Sequence, residues 1–191
     1  MPGAYHPRMS NGREPTPTPS VRLATLDDAE PIARAQVASW HAAYTGLIPE
    51  AVLAAYTVEV RTARWRAILA RDAPEERTWV APAGHPLGFI SLGPCRDEGA
   101  GPTVAELYGL YLDPSAWGGG LGRALFEAAA ADCRARARSL LTAWVLEGNA
   151  RARRFYEIAG MRPDGAHKIE MEQGAALPHV RYTLPLAPVA R

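Results

Sequence analysis

The chain has 191 residues, a length that suits one domain with a full-sized core. With 48% apolar and 21% charged residues it has ordinary globular composition, and a formal net charge of +1 shows no basic excess of the kind a nucleic-acid binder carries. No run is apolar and long enough to cross a bilayer, the N-terminus lacks the apolar stretch of a signal peptide, and Cys95 and Cys133 form neither a CxxC pair nor a disulfide framework; the expectation is a cytoplasmic protein with no membrane or nucleic-acid partner.

Residues 1–20 are rich in Pro, Ser, Thr, Asn and Gly, and the alternation from Pro15 to Pro19 favours extended, unpaired backbone. They are expected to form a flexible tail, with Met9 as an alternative start, ahead of a domain over 21–187 and a short C-terminal tail over 188–191. A short first strand is expected at 21–24. Asp27 or Asp28 then offers an N-cap for a helix to about His41. A second short helix opens at Pro49 and Glu50. A third, over 58–70, carries Val60, Ala63, Arg64, Ala67 and Ile68 at helical spacing. Strands follow at 78–81 and 87–92, joined by the turn from Ala83 to Pro86, and a longer one at 104–112 ends at Asp113-Pro114. Next come a glycine-rich turn and a helix over about 120–137, with Leu121, Leu125, Ala128 and Ala129 as its buried stripe. Arg134, Arg136 and Arg138 cluster where that helix ends, which suits a solvated end at the negative pole of its dipole. A buried strand at 140–146, a helix over 149–159 closed by Gly160, a strand near Met161 and another near 180–184 complete a mixed α/β order.

A strand, a glycine-rich turn and a helix make the physical recipe for an anion site. Free amides at the helix start point outward, the helix dipole favours negative charge, and glycine lets a ligand approach the backbone closely. Trp117-Gly118-Gly119-Gly120-Leu121-Gly122 stands at such a junction. A Walker A loop would need Lys and then Ser or Thr where Arg123 and Ala124 stand. A dinucleotide fingerprint fails from either starting glycine, because its last position is Arg123 or Leu125. The pyrophosphate loop of acyl-CoA transferases fits Gly120-Leu121-Gly122, and a plain flexible turn is the competing reading.

The segment from Glu106 to Pro114, followed by this turn, resembles the central motif of the GNAT superfamily of N-acetyltransferases. The segment from Trp144 to Glu157 resembles the C-terminal motif of its bacterial members, and the likeness covers residues 21 to about 186. It implies a mixed, mostly antiparallel central sheet of about seven strands flanked by helices, with two central strands splayed apart. It also implies acetyl-CoA as co-substrate. Two departures stand out: Trp117 replaces the family's Arg or Gln at the head of the loop, and Gly119 replaces its basic residue. Arg123, Arg151 or Arg153 would then supply charge to the phosphates beside the amides of Gly118 to Gly122.

By the same resemblance the pantetheine arm pairs with the backbone of Leu110, Tyr111 and Leu112. Asn149 caps a helix and reaches the pantetheine amides. Glu106 is the general-base candidate, expected to share a strand face with Tyr108, Leu110 and Leu112, against the alternative of a salt-bridge partner. Tyr156, two helical turns after Asn149, is the general-acid candidate, against the alternative of a core aromatic. Acetyl would move directly to a primary amine in a ternary complex; the different-class alternative is a non-catalytic acyl-CoA-binding sensor. Trp40 and Tyr44 fall in the segment the resemblance assigns to the acceptor wall, where aromatics hold a cationic amine or simply fill the core. The acceptor remains open among a small amine, an aminoglycoside-like drug, a free amino acid and a protein N-terminus. A homodimer is among the arrangements the resemblance suggests. The five histidines show no ligand spacing, and no metal is expected.

Overall fold

The computed structural model describes residues 19–186, so the expected tails at 1–20 and 188–191 lie almost wholly outside the described residues. Strand β1 (Arg22–Leu23) leads through a single 3-10 turn into helix α1 (Ala29–Tyr44), followed by α2 (Glu50–Ala54) and α3 (Val58–Leu69). Strands β2 (Arg77–Ala81), β3 (Gly88–Pro94) and β4 (Val104–Leu112) come next. Then follow helix α4 (Leu121–Ala135), strand β5 (Leu140–Leu146), helix α5 (Ala150–Ile158), and strands β6 (Arg162–Glu172) and β7 (Ala175–Pro185).

The strands form one seven-stranded sheet in the order β1-β2-β3-β4-β5-β7-β6. Every neighbouring pair is antiparallel except β4 with β5. That parallel ladder runs only from Val104 opposite Leu140 to Leu107 opposite Ala143, although both strands continue. Beyond it the two strands splay, as the resemblance implies. One face packs Leu107, Leu110 and Leu112 against α4 around Leu121, Leu125 and Ala129. The other face packs Val80, Phe89 and Tyr111 against α1 and α3 through Ile32, Ala33 and Trp65.

Four readings of the sequence are corrected here. First, β4 does not alternate evenly: Ser91 pairs with Gly109 and Leu92 with Leu107, which leaves Tyr108 as an extra residue. This β-bulge moves Leu110 and Leu112 to the α4 face, while Glu106 and Tyr108 stay opposite, toward α1 and α3. Second, Val60, Ala63, Arg64 and Ala67 of α3 are exposed and only Ile68 is partly covered, because the helix buries Thr62 and Trp65 instead. Trp65 carries the larger apolar area and decides the rotation. Third, the arginines after α4 are not free in solvent. Arg138 bonds the Pro102 carbonyl and Glu75, and Arg136 reaches Asp132 at 3.2 Å and Glu75 at 3.5 Å. Fourth, β6 is far longer than a strand near Met161. It is a largely exposed edge strand, and its short alternation Lys168-Ile169-Glu170-Met171-Glu172 leaves Ile169 and Met171 in solvent and not in the core. Gln173 (φ 49°) and Gly174 (φ 80°) turn it into β7 with the two positive φ values of a tight hairpin.

Asp28 holds the expected N-cap position, but its carboxylate serves the approach to the helix. It accepts from the Thr25 amide at 2.7 Å and takes a two-pronged grip from Arg22 at 2.6 and 2.8 Å. This ties β1 to the start of α1.

Candidate active site

Gly118 (φ 78°) and Gly120 (φ 83°) take left-handed backbone after the 3-10 turn at Pro114–Ala116, and Gly120 caps α4. A Cβ at either would meet nothing within 4 Å, so the loop faces open space. The first helical hydrogen bond runs from the Ala124 amide to the Gly120 carbonyl at 3.0 Å. Among the described residues, the amides from Gly118 to Arg123 have no backbone acceptor. Gly118, Gly120, Gly122 and Arg123 of this run line a cleft of about 640 Å³ that runs between β4, α4 and α5. Such a row of free N–H groups at a helix start can hold a phosphate.

The candidate residues divide around this cleft. Leu110, Tyr111, Leu112, Trp117, Gly118, Gly120, Gly122, Arg123, Asn149, Arg151 and Tyr156 line it. Leu121 turns its side chain into the core and offers only its amide. Gly119 contributes backbone beside the cleft. Arg153 leaves it, donating to the Tyr182 hydroxyl and the Glu147 carbonyl at 3.2 Å each. Trp117 donates its indole N–H to the Leu112 carbonyl at 3.1 Å, and the Arg151 guanidinium stacks 3.7 Å from its ring. The residue that departs from the family pattern therefore fixes a cation at the cleft. Arg123 is exposed and paired with Glu127 at 2.7 Å.

Asn149 caps α5, its side-chain oxygen accepting from the Ala152 amide at 3.0 Å. Two turns on, Tyr156 is buried between Phe155 and Tyr182. Burial raises its hydroxyl pKa well above the ordinary value, so at neutral pH it is a proton donor. Burial likewise raises Tyr111 and Tyr44; Asn149 and Tyr111 are polar neighbours of the Tyr44 hydroxyl.

Glu106 lies on the opposite side of the sheet from α4. It is 1% exposed, and Arg96 neutralises it: the Arg96 amide donates to it at 2.9 Å, Nε at 3.2 Å, and Nη2 forms a close ion pair. A buried carboxylate would be strongly disfavoured without such a partner. Arg96 also covers the Tyr108 ring at 4.2 Å. Glu106 opens into a second cavity of about 570 Å³, walled by Trp40, Tyr44, Tyr56 and Arg61. Trp40 stacks on Tyr56 at 4.1 Å and meets Tyr44 edge-on at 4.4 Å; Trp40 and Tyr44 wall the cavity and also pack on the core cluster of Ile48, Val52 and Leu53. Trp65 goes to the core, against Phe89.

The two cavities share Tyr44, Leu107, Tyr108, Gly109, Tyr111 and Trp144 as lining. They meet where β4 and β5 part. Past Leu107 the β4 edge facing β5 has no strand partner, and its backbone groups are free to pair with an extended ligand. Sequence reasoning missed Arg96, Arg61 and Trp144, whose positions depend on contacts between distant segments. It also missed that Cys95, Asp97 and Glu106 converge, their ligand atoms lying within 4.8 Å of one another. That group is internally satisfied: Asp97 accepts from Trp144 at 2.9 Å and from Arg181 at 2.8 Å, and Glu106 is held by Arg96.

No helix among the described residues is long and apolar enough to cross a membrane. Residues 35–161 match the Acetyltransferase (GNAT) family. An N-acetyltransferase of uncharacterised function from Bacillus subtilis is 32% identical over 133 residues, 68% of this chain and 73% of that protein. A mycothiol acetyltransferase from Beutenbergia cavernae is 45% identical over 65 residues, 34% of this chain and only 22% of that protein. Among solved structures, a GCN5-related N-acetyltransferase from Rhodopseudomonas palustris aligns over 92% of this chain and 100% of its own at 25% identity, with a TM-score of 0.71. The PaiA N-acetyltransferase of Thermoplasma acidophilum, solved with coenzyme A, aligns over 84% of this chain and 96% of its own at 20% identity, with a TM-score of 0.58. The chain belongs to the GNAT family of acetyltransferases and is an acyltransferase of the N-acetyltransferase type.

Proposed function

We propose that the protein moves the acetyl group of acetyl-CoA directly to a primary amine, with both bound at once. The observation that carries this reading is the meeting of two cavities at the splay between β4 and β5. A thioester entering along α4 and an amine entering from the α1 and α3 side would meet there without an acyl-enzyme. The free amides from Gly118 to Arg123, with Arg151 held on Trp117, would grip the pyrophosphate. The pantetheine would lie along Leu110 to Leu112 as an extra strand. That a fold neighbour was solved with coenzyme A supports this side of the site.

The amine attacks the thioester carbonyl carbon, and the carbon–sulfur bond breaks as the tetrahedral intermediate collapses. Glu106 faces the acceptor cavity but is occupied by Arg96, so it would take the amine's proton through water or after Arg96 shifts. Tyr156 would protonate the departing thiolate, a role that suits a hydroxyl kept neutral by burial. Release of thiol from acetyl-CoA across a panel of amines tests the reading. Amine-dependent release supports it, whereas tight acetyl-CoA binding without release from any amine would leave the sensor alternative standing.

A further inference from the structure

The acceptor cavity is lined by several charged side chains, and most are already matched. Arg71 pairs with Glu76 at 2.6 Å, Arg96 pairs with Glu106, and Lys168 pairs with Glu170 at 2.6 Å. Arg61 is different. It is half-buried in the cavity wall, yet it forms no ion pair among the described residues. Its Nε donates to Gln36 Oε1 at 3.0 Å, and its guanidinium lies 4.7 Å from the Tyr56 ring centre. Gln36 is itself fixed, since Oε1 also accepts from the Trp65 indole at 2.8 Å. The guanidinium is thus held from two sides while, among the described residues, neither Nη group has an acceptor. Glu172 takes the Tyr56 hydroxyl at 3.3 Å and makes no ion pair with Arg61. Arg64, one helical turn on, adds a second cation to the same wall.

Glu172 acts on Arg61 by charge across the cavity but does not touch it, and the planar fork of free Nη donors matches a carboxylate in two-pronged geometry. We propose that the acceptor is a primary amine that carries a carboxylate on the same molecule. Arg61 holds the carboxylate through its Nη groups, and the amine lies at the junction beside Glu106 and Tyr111. This rests on the amine-acetylation reading above and narrows it. An amino acid fits. The N-terminus of a long peptide brings no carboxylate into the cavity unless its first side chains are acidic.

The test compares amino acids with their amides by thiol release from acetyl-CoA, on kcat/KM corrected for the fraction of free amine, because amidation removes the carboxylate charge and also lowers the pKa of the α-amine. The acid form should exceed the amide in kcat/KM by at least about tenfold, mostly through KM, because an ion-paired hydrogen bond to a charged group is lost in the amide. In Arg61→Gln the ratio of acid to amide should collapse toward one, and in Arg61→Lys it should recover in part. An Arg34→Gln control, on the exposed face of α1, should keep the wild-type ratio. Equal turnover of acid and amide by the wild type would overturn the carboxylate proposal while leaving amine acetylation intact. An equal loss of both in a folded Arg61→Gln protein would also overturn it, by reducing Arg61 to a structural prop. Failure of every amine would instead count against the acetyl-transfer reading.

Discussion

At the scale of single residues, the proposed division of labour between Glu106 and Tyr156 rests on what surrounds each. Tyr156 is buried among aromatic rings and remains protonated, whereas the buried Glu106 is ion-paired with the Arg96 guanidinium. Tyr156→Phe removes only the hydroxyl. Turnover should fall by roughly 10²-fold or more, with acetyl-CoA affinity by calorimetry nearly unchanged; unchanged turnover would remove the proton-donor role. Gly120→Ala tests the loop. With φ at 83°, an L side chain there should cost about 1 to 2 kcal/mol in stability. Acetyl-CoA should also bind more weakly, because the strain falls on the amides proposed to hold the phosphates. The glycine loop was legible in the sequence because its signal is local: consecutive residues decide which amides are free. Arg96 was not, because nothing within ten positions of Glu106 states that the chain after β3 folds back over it.

At the scale of elements, the clearest case is the tie between β1 and α1. Arg22 lowers the Asp28 pKa chiefly through their hydrogen bond, against an opposing contribution from burial. A carboxylate with a lowered folded pKa contributes stability above its unfolded value, near 4, and loses it as pH falls through the folded value. Asp28→Asn should therefore lower stability by about 1 to 2 kcal/mol at neutral pH, allowing for the partial exposure of Arg22. Thermal melts at falling pH should show the wild type and variant converging below about pH 4. A gap that persists in acid would mean that the pair is not what Asp28 supplies. The elements themselves were largely legible: β4 and β5 are apolar runs bounded by turns, and both ends of each match the expected ranges. Their faces were less so. The bulge at Tyr108 is set by the register with β3, and a period-of-two reading of β4 alone assigns Leu110 and Leu112 to the wrong side.

At the scale of the whole molecule, the sheet separates two chemistries and then opens to join them. On one side, free amides and Arg151 suit an anionic cofactor; on the other, aromatics and Arg61 suit a small zwitterion. The family and its fold were legible because the motifs that carry them lie in the contiguous stretches 106–122 and 144–157. The acceptor was not, because its cavity is assembled from α1, α3, β4 and the β6–β7 hairpin, segments far apart in the chain. The central claim is that both substrates occupy the splay together. Initial velocities measured over a grid of acetyl-CoA and amine concentrations test it most directly. Double-reciprocal lines that intersect, with no thiol burst before amine is added, are the predicted result; parallel lines with a stoichiometric burst would contradict direct transfer and place the acetyl group on the protein first.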